Sequence, residues 1–186
     1  MPYSAESEHA RVNAGGSAGA ETPPPTFAQL GVAAEIVDAL AQHGIVRPFS
    51  IQELTLPRAL VGRDIIGQAR TGMGKTFGFG VPLLDRVFDD ADIEELDGTP
   101  RALVIVPTRE LAVQVGDDLA HAASLTPVRV TTIYGGRPYE EQLAALEQGV
   151  DVVVGTPGRL IDLWQRGDLN LSAVAILVLD EADEML

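Results

Sequence analysis

The sequence predicts an α/β fold, a doubly wound parallel sheet with helices on both faces. Short apolar runs recur along the chain: "RDIIGQA", "RALVIVP", "VRVTTIY", "VDVVVGT" and "VAILVLD". They are near-continuous and rich in β-branched residues, as strands buried on both faces of a parallel sheet are. Amphipathic stretches alternate with them, which is the rhythm of a layered α/β domain. Each run is followed at once by glycine, a small hydroxyl or a charged residue. Ligands of an open parallel sheet bind there, beyond the carboxyl ends of the strands.

Taken in order, residues 1–25 are rich in Ala, Gly, Ser, Glu and Pro and end in "ETPPPT". Such a composition buries too little to offset ordering entropy, so a disordered tail is expected, with the domain occupying 26–186. "VAAEIVDALAQHG" predicts a helix with Ile36, Val37, Leu40 and Ala41 on one stripe and Gly44 just past its end. "SIQELTLPRALVG" predicts a shorter helix, bent or interrupted near Pro57. After "RDIIGQA" a third helix should begin near Lys75. "RELAVQVGDDLAHAAS" and "PYEEQLAALEQG" are the amphipathic stretches between later strands. "DDADIEELDGTP", residues 89–100, is an acidic surface loop.

Composition narrows the chemistry. No apolar run approaches the ~18 residues of a membrane span. No basic start followed by an apolar core marks a secretory signal. The absence of cysteine excludes disulfides and thiolate metal sites, and fits a soluble protein of a reducing cytoplasm. The formal charge of −14 argues against a protein that coats nucleic acid with a basic face. An RNA or DNA site would have to be local and built partly from backbone N–H groups. Of the 13 basic residues only one, Lys75, is lysine. A position reserved for lysine in an arginine-using chain needs a compact charge on a flexible stem rather than a planar fork.

Lys75 closes "GQARTGMGKT", whose Gly-Lys-Thr is the core of a P-loop, with Ala69 where the general pattern has its first glycine. Gly72 and Gly74 let N–H groups turn inward around a phosphate, and the following helix adds the positive end of its dipole. Lys75 could then reach the β- and γ-phosphates of ATP, and the Thr76 hydroxyl could ligate Mg²⁺. Asp180 ends the run "AILVL", where a second metal-holding group is needed, and Glu181 is placed to orient or deprotonate water. Bound Mg²⁺ would offset the repulsion among Asp180, Glu181, Asp183 and Glu184.

The ordered set "ARTGMGKT", "PTRELA", "GG", "TPGRL" and "DEAD" resembles the DEAD-box ATP-dependent RNA helicases, from about Phe27 to the last residue. The resemblance implies a RecA-like P-loop domain, the first of two, binding ATP, Mg²⁺ and single-stranded RNA. It implies nucleotide-binding roles for Ala69, Thr71, Gly72, Met73, Gly74, Lys75 and Thr76, catalytic roles for Lys75, Asp180 and Glu181, and a coupling role for Asp183. It implies that Pro107, Thr108, Arg109, Gly135, Gly136, Thr156, Pro157, Gly158 and Arg159 hold the RNA backbone. "GIVRPFSIQ" resembles the family's adenine-reading Q motif, with Phe27, Arg47 and Gln52 as further nucleotide contacts. Gln52 could pair with the adenine N6/N7 edge while Phe27 stacks on the ring. Ile45, Phe49 and Ser50 depart from the usual aromatic, threonine and proline.

The family's Ser-Ala-Thr segment and second RecA-like domain do not follow within these 186 residues. A fragment is therefore expected, lacking the last strands of its sheet, able to bind ATP and to contact RNA weakly, but poor at hydrolysis and unwinding. A DNA helicase or translocase of the same superfamily and a non-catalytic nucleotide-binding adaptor are the alternatives. His43, His9 and His121 read as ordinary surface or helix-end residues, and Trp164 as packing.

Overall fold

A computed structural model describes residues 24–68, 74–89 and 96–185. The expected tail, apart from 24–25, lies outside the described residues, as do residues 90–95 of the acidic loop and Ala69, Thr71, Gly72 and Met73. Six helices are described: α1 (Ala34–Gln42), α2 (Ser50–Ala59), α3 (Lys75–Asp89), α4 (Arg109–Ala122), α5 (Tyr139–Glu147) and α6 (Pro157–Arg166). Four strands, β1 (Ala102–Ile105), β2 (Val130–Ile133), β3 (Val152–Gly155) and β4 (Ile176–Leu179), form a parallel sheet of order β2-β3-β1-β4. The doubly wound parallel architecture is as predicted.

Strand residues alternate between two apolar clusters, because successive side chains leave a strand on opposite faces. Ala102, Val104, Val152 and Val154 join Ile36 and Leu40 of α1, Leu84 of α3 and Leu119 of α4 on one face. Leu103, Ile133 and Val153 join Leu160 and Leu163 of α6 on the other, with Leu143 and Leu146 of α5 against them. At about 25 cal/mol per Å² of apolar surface, these two layers supply the main driving force for folding.

Local details depart from the sequence reading in several places. The buried stripe of α1 is Ile36, Ala39 and Leu40, and Ala41 is exposed. The helix ends as foreseen, with Gly44 N–H donating to Ala41 O and Ile45 N–H to Leu40 O, the paired bonds of a Schellman stop. Helix α2 is not interrupted at Pro57, which lies on its exposed face near the last turn. Thr55 ties α2 to α3 by donating to Gly78 O at 3.2 Å. Helix α6 was not foreseen as an element, although Pro157 at its first turn and Gly167 at its end are ordinary boundary signals.

The largest departure is "RDIIGQA". Residues 63–68 are exposed and form no strand, with Ile66 84% exposed. A strand exists only through a ladder partner, and no described segment offers one. β4 pairs with β1 on one side only, and Leu177 and Leu179 remain 58% and 54% exposed. Apolar composition encodes an extended preference, whereas pairing depends on residues distant in sequence.

Candidate functional site

The start of α3 and the end of β4 meet at the carboxyl edge of the sheet. Lys75 Nζ donates to Glu181 Oε1 at 2.5 Å, and both side chains are about one-quarter exposed (25% and 23%). That bond holds the ammonium's pKa above its usual value, reinforced by the charges of Glu181, Asp180 and Asp183 and opposed by burial. Asp180, continuing β4 through its N–H to Ile105 O, is pushed up mainly by burial, with Lys75 pulling the other way. Asp180 Oδ1 accepts from Glu181 N–H at 3.1 Å. Glu181 adopts φ of 53°, the left-handed region that costs a side-chain-bearing residue roughly 1–2 kcal/mol. Backbone strain of this kind at an acid facing the only lysine is a feature of functional sites.

These residues fit Mg²⁺·nucleotide chemistry. Asp180 is a partly desolvated acid that gains from a cation, and Thr76 follows Lys75 in the first turn of α3. A set of only two protein oxygens, from Thr76 and Asp180, would match the habit of Mg²⁺ of retaining waters and phosphate oxygens. Asp183 lies exposed in the short 3₁₀ turn Ala182–Met185, its charge felt by Lys75.

The Q-motif residues adjoin the same loop. Gln52 is fully buried. Its Nε2 donates to Gly74 O at 2.8 Å and its Oε1 accepts from Phe49 N–H at 3.0 Å. In this arrangement the amide links α2 to the loop rather than facing an open site. Gly74 takes φ of +74°, and a Cβ there would stand 2.5 Å from both Gln52 Nε2 and the Phe49 ring, so only glycine fits. Phe49 precedes α2, and a phenyl group cannot accept the bond that a threonine hydroxyl would, so only half a capping box forms. Phe27 is 1% exposed within the core, so its ring offers no open stacking face. Arg47 Nη1 donates to Pro24 O.

The second cluster gathers three distant segments. Pro107, Thr108, Arg109, Gly135, Gly136 and Thr156 line one open depression of about 490 Å³, together with Glu110. Thr108 caps α4 by accepting from Leu111 N–H at 3.2 Å. Arg109 reaches Gly135 O at 3.5 Å, and a Cβ on Gly136, itself at φ +81°, would collide with that guanidinium. Thr156 precedes α6 without a cap bond, and Pro157 and exposed Gly158 open the helix. Arg159 Nη1 donates to Arg137 O at 3.1 Å.

One residue that organises this cluster was missed. Gln142 of α5 is 2% exposed, accepts from Tyr134 N–H at 3.1 Å and donates to Pro138 O at 3.2 Å, tying both ends of the Gly135–Gly136 loop to its helix. A glutamine on an otherwise apolar helix face was the available signal. Outside both clusters, His43 and His121 stack at 4.5 Å, and His43 Nδ1 lies 3.0 Å from Ala39 O. Trp164 is 56% exposed and is not core packing.

Residues 49–186 match the DEAD/DEAH box helicase family. A rice (Oryza sativa subsp. japonica) protein named DEAD-box ATP-dependent RNA helicase 53 is 46% identical over 185 residues, covering 100% of this chain and 29% of that protein. The Escherichia coli K12 protein named ATP-dependent RNA helicase DeaD is 48% identical over 162 residues, covering 87% of this chain and 25% of its own length. The crystal structure of a DEAD box protein from the hyperthermophile Methanococcus jannaschii superposes with a TM-score of 0.76 at 37% identity, over 86% of this chain and 42% of that one. The chain thus spans under a third of the length of these two curated relatives. With the family match covering most of the chain, and with its P-loop lysine facing the acids of "DEAD" across the sheet edge, the chain belongs to the DEAD/DEAH box helicase family.

Proposed function

We propose that this domain binds Mg²⁺·ATP and single-stranded RNA on adjoining surfaces, and serves an ATP-dependent RNA helicase or RNP-remodelling enzyme. The observation that carries the reading is the meeting of Lys75, Asp180 and Glu181 at the same carboxyl sheet edge to which three glycine- and arginine-bearing segments contribute a second, open depression. Gly74, Lys75 and Thr76 would hold the phosphates, with Ala69, Thr71, Gly72 and Met73 completing the loop. Thr76 and Asp180 would hold Mg²⁺, which when bound neutralises phosphate charge. Lys75 would leave Glu181 for the phosphates, freeing that carboxylate to orient water or take its proton. Gln52 favours adenine if its amide exchanges Phe49 N–H and Gly74 O for the base edge. Arg47 would border the nucleotide, and Asp183 would couple it to the rest of the protein.

Arg109 and Arg159 would donate to RNA phosphates, while Gly135, Gly136, Pro107, Thr108, Thr156, Pro157 and Gly158 allow close approach. These contacts are to sugar and phosphate, so they position the strand without reading bases. Unwinding is proposed for a protein that joins this domain to a second one able to complete the ATP site, acting in the cytoplasm. Among the described residues no helix is long and apolar enough to cross a membrane. The test is ATP and GTP affinity by displacement of a fluorescent analogue, with and without oligouridylate. ATP should win, and Lys75→Arg should lose it. Equal affinity for both nucleotides, or full binding by Lys75→Arg, would refute the assignment.

A further inference from the structure

Arginines continue past the proposed RNA contacts onto a residue that no motif includes. Tyr139, the first residue of α5, lies beneath two guanidinium groups, Arg159 at 3.9 Å and Arg166 at 4.7 Å from its ring centroid. The two arginines sit at opposite ends of α6 and would repel each other if brought together in isolation. The electron-rich ring attracts both cations and fixes where each stands. The Tyr139 hydroxyl donates to Asp162 Oδ2 at 2.5 Å, which sets the ring against the middle of α6.

The donors that remain are directed outward. Arg159 forms no ion pair among the described residues, and its described bond goes to Arg137 O. Arg166 uses Nε on Asp168 at 2.9 Å, with its terminal nitrogens making no described bond, and its side chain is 47% exposed. Glu141 is held by Arg137 at 2.7 Å and does not neutralise this pair. Two guanidiniums held on one ring, each with donors left over, suit the oxygens of a phosphodiester. The surface is continuous with the open depression, because the Arg137 backbone that receives Arg159 follows directly on Gly135 and Gly136.

We propose that Tyr139 is a positioning residue that aims Arg159 and Arg166 together, and that Arg166 adds a further phosphate contact to the RNA track. This rests on the RNA-binding reading above. The experiment measures affinity of the 186-residue chain for fluorescein-labelled oligouridylate across a salt series, with ATP-analogue affinity and melting temperature as controls. Each lost phosphate contact lowers the slope of log K against log salt by about 0.7 for a single strand. Arg159→Gln and Arg166→Gln should each lower the slope by that amount. Tyr139→Leu should weaken RNA binding several-fold with both arginines present, and Tyr139→Phe, which keeps the ring, should restore it. Nucleotide affinity should be unchanged in Arg166→Gln and in both Tyr139 variants.

Failure of Arg159→Gln to alter RNA binding would overturn the underlying RNA reading. A normal effect of Arg159→Gln beside no effect of Arg166→Gln would overturn the extension alone. Equal loss in Tyr139→Phe and Tyr139→Leu would show that the hydroxyl, not the ring, matters, and would overturn the positioning role.

Discussion

The Lys75–Glu181 bond is predicted to act as a brake on nucleotide binding. The ammonium stands 2.5 Å from the carboxylate, and both side chains keep about a quarter of their surface. Fully exposed pairs contribute about 0.2–1 kcal/mol, and hydrogen bonds to charged groups about 1.5–3 kcal/mol when protected. A pair of intermediate exposure should couple by about 1 kcal/mol. The measurement is a double-mutant cycle of the chain, Lys75→Met, Glu181→Gln and the double variant, unfolded in urea without nucleotide at pH 7. The coupling should shrink in high salt, as a screened charge pair does.

The consequence for ligand binding has a defined sign. One ammonium cannot serve the carboxylate and the phosphates fully at once, so part of the coupling opposes ATP. Glu181→Gln frees the lysine and removes a negative charge beside the phosphates. ATP affinity should therefore rise by up to about fivefold, the equivalent of roughly 1 kcal/mol. In the complete enzyme the same change should stop turnover, since glutamine cannot accept a proton. A coupling below about 0.2 kcal/mol, or weaker ATP binding by Glu181→Gln, would refute the reasoning.

Other perturbations test the surroundings. Phe49→Thr supplies the missing acceptor at the start of α2 and should stabilise the fold by about 1 kcal/mol, seen as a higher melting temperature. Asp151 is fully buried and accepts from Arg129 N–H at 2.8 Å and from its guanidinium at 3.2 Å, so Arg129→Leu should cost about 3 kcal/mol in urea and exceed the cost of Asp151→Asn. Burial raises the native pKa of Asp180, so its contribution to stability is fully present below the unfolded pKa and lost as pH rises through the native one. Asp180→Asn should accordingly melt higher than the parent at neutral pH, and the difference should fade in acid while Mg²⁺·ATP binding is weakened throughout.

Much of the architecture was legible because its signals are local. Four β-branched runs became β1 to β4, and the amphipathic segments between them became α4 and α5. Lys75 stood out by composition alone. The misses needed information distant in sequence. "RDIIGQA" has strand chemistry, but a ladder depends on a neighbour. Gln52 was readable as an amide with two hydrogen-bonding ends, yet nothing in its segment indicates that Gly74 O and Phe49 N–H occupy both. Phe27 was recognisable as an isolated aromatic, whereas its burial in the core depends on segments distant in sequence. Helix α6 was hidden because "TPGRL" was read for its chemistry, while the apolar spacing of Leu160 and Leu163 went unweighed.

The charge of −14 and a proposed RNA site are compatible through the range of electrostatics. At physiological salt the screening length is about 8 Å, so carboxylates on remote surfaces contribute little at the RNA face. What counts there is the local balance, and Arg109, Arg137, Arg159 and Arg166 gather around one short loop and its neighbouring helix. Glu141 and Asp168 each bond only the Nε of Arg137 and Arg166, respectively, while Asp162 accepts from the Tyr139 hydroxyl, which is neutral and does not offset its charge. On the proposed reading, such a surface would bind phosphate through direct donors at contact while the molecule as a whole repels it at a distance. Net repulsion disfavours nonspecific coating, so under the proposed RNA-binding reading a strand would be held only where its phosphates reach the arginines directly. If the proposed RNA-binding function holds, contacts that are short-ranged and few would suit a protein that has to let its strand go.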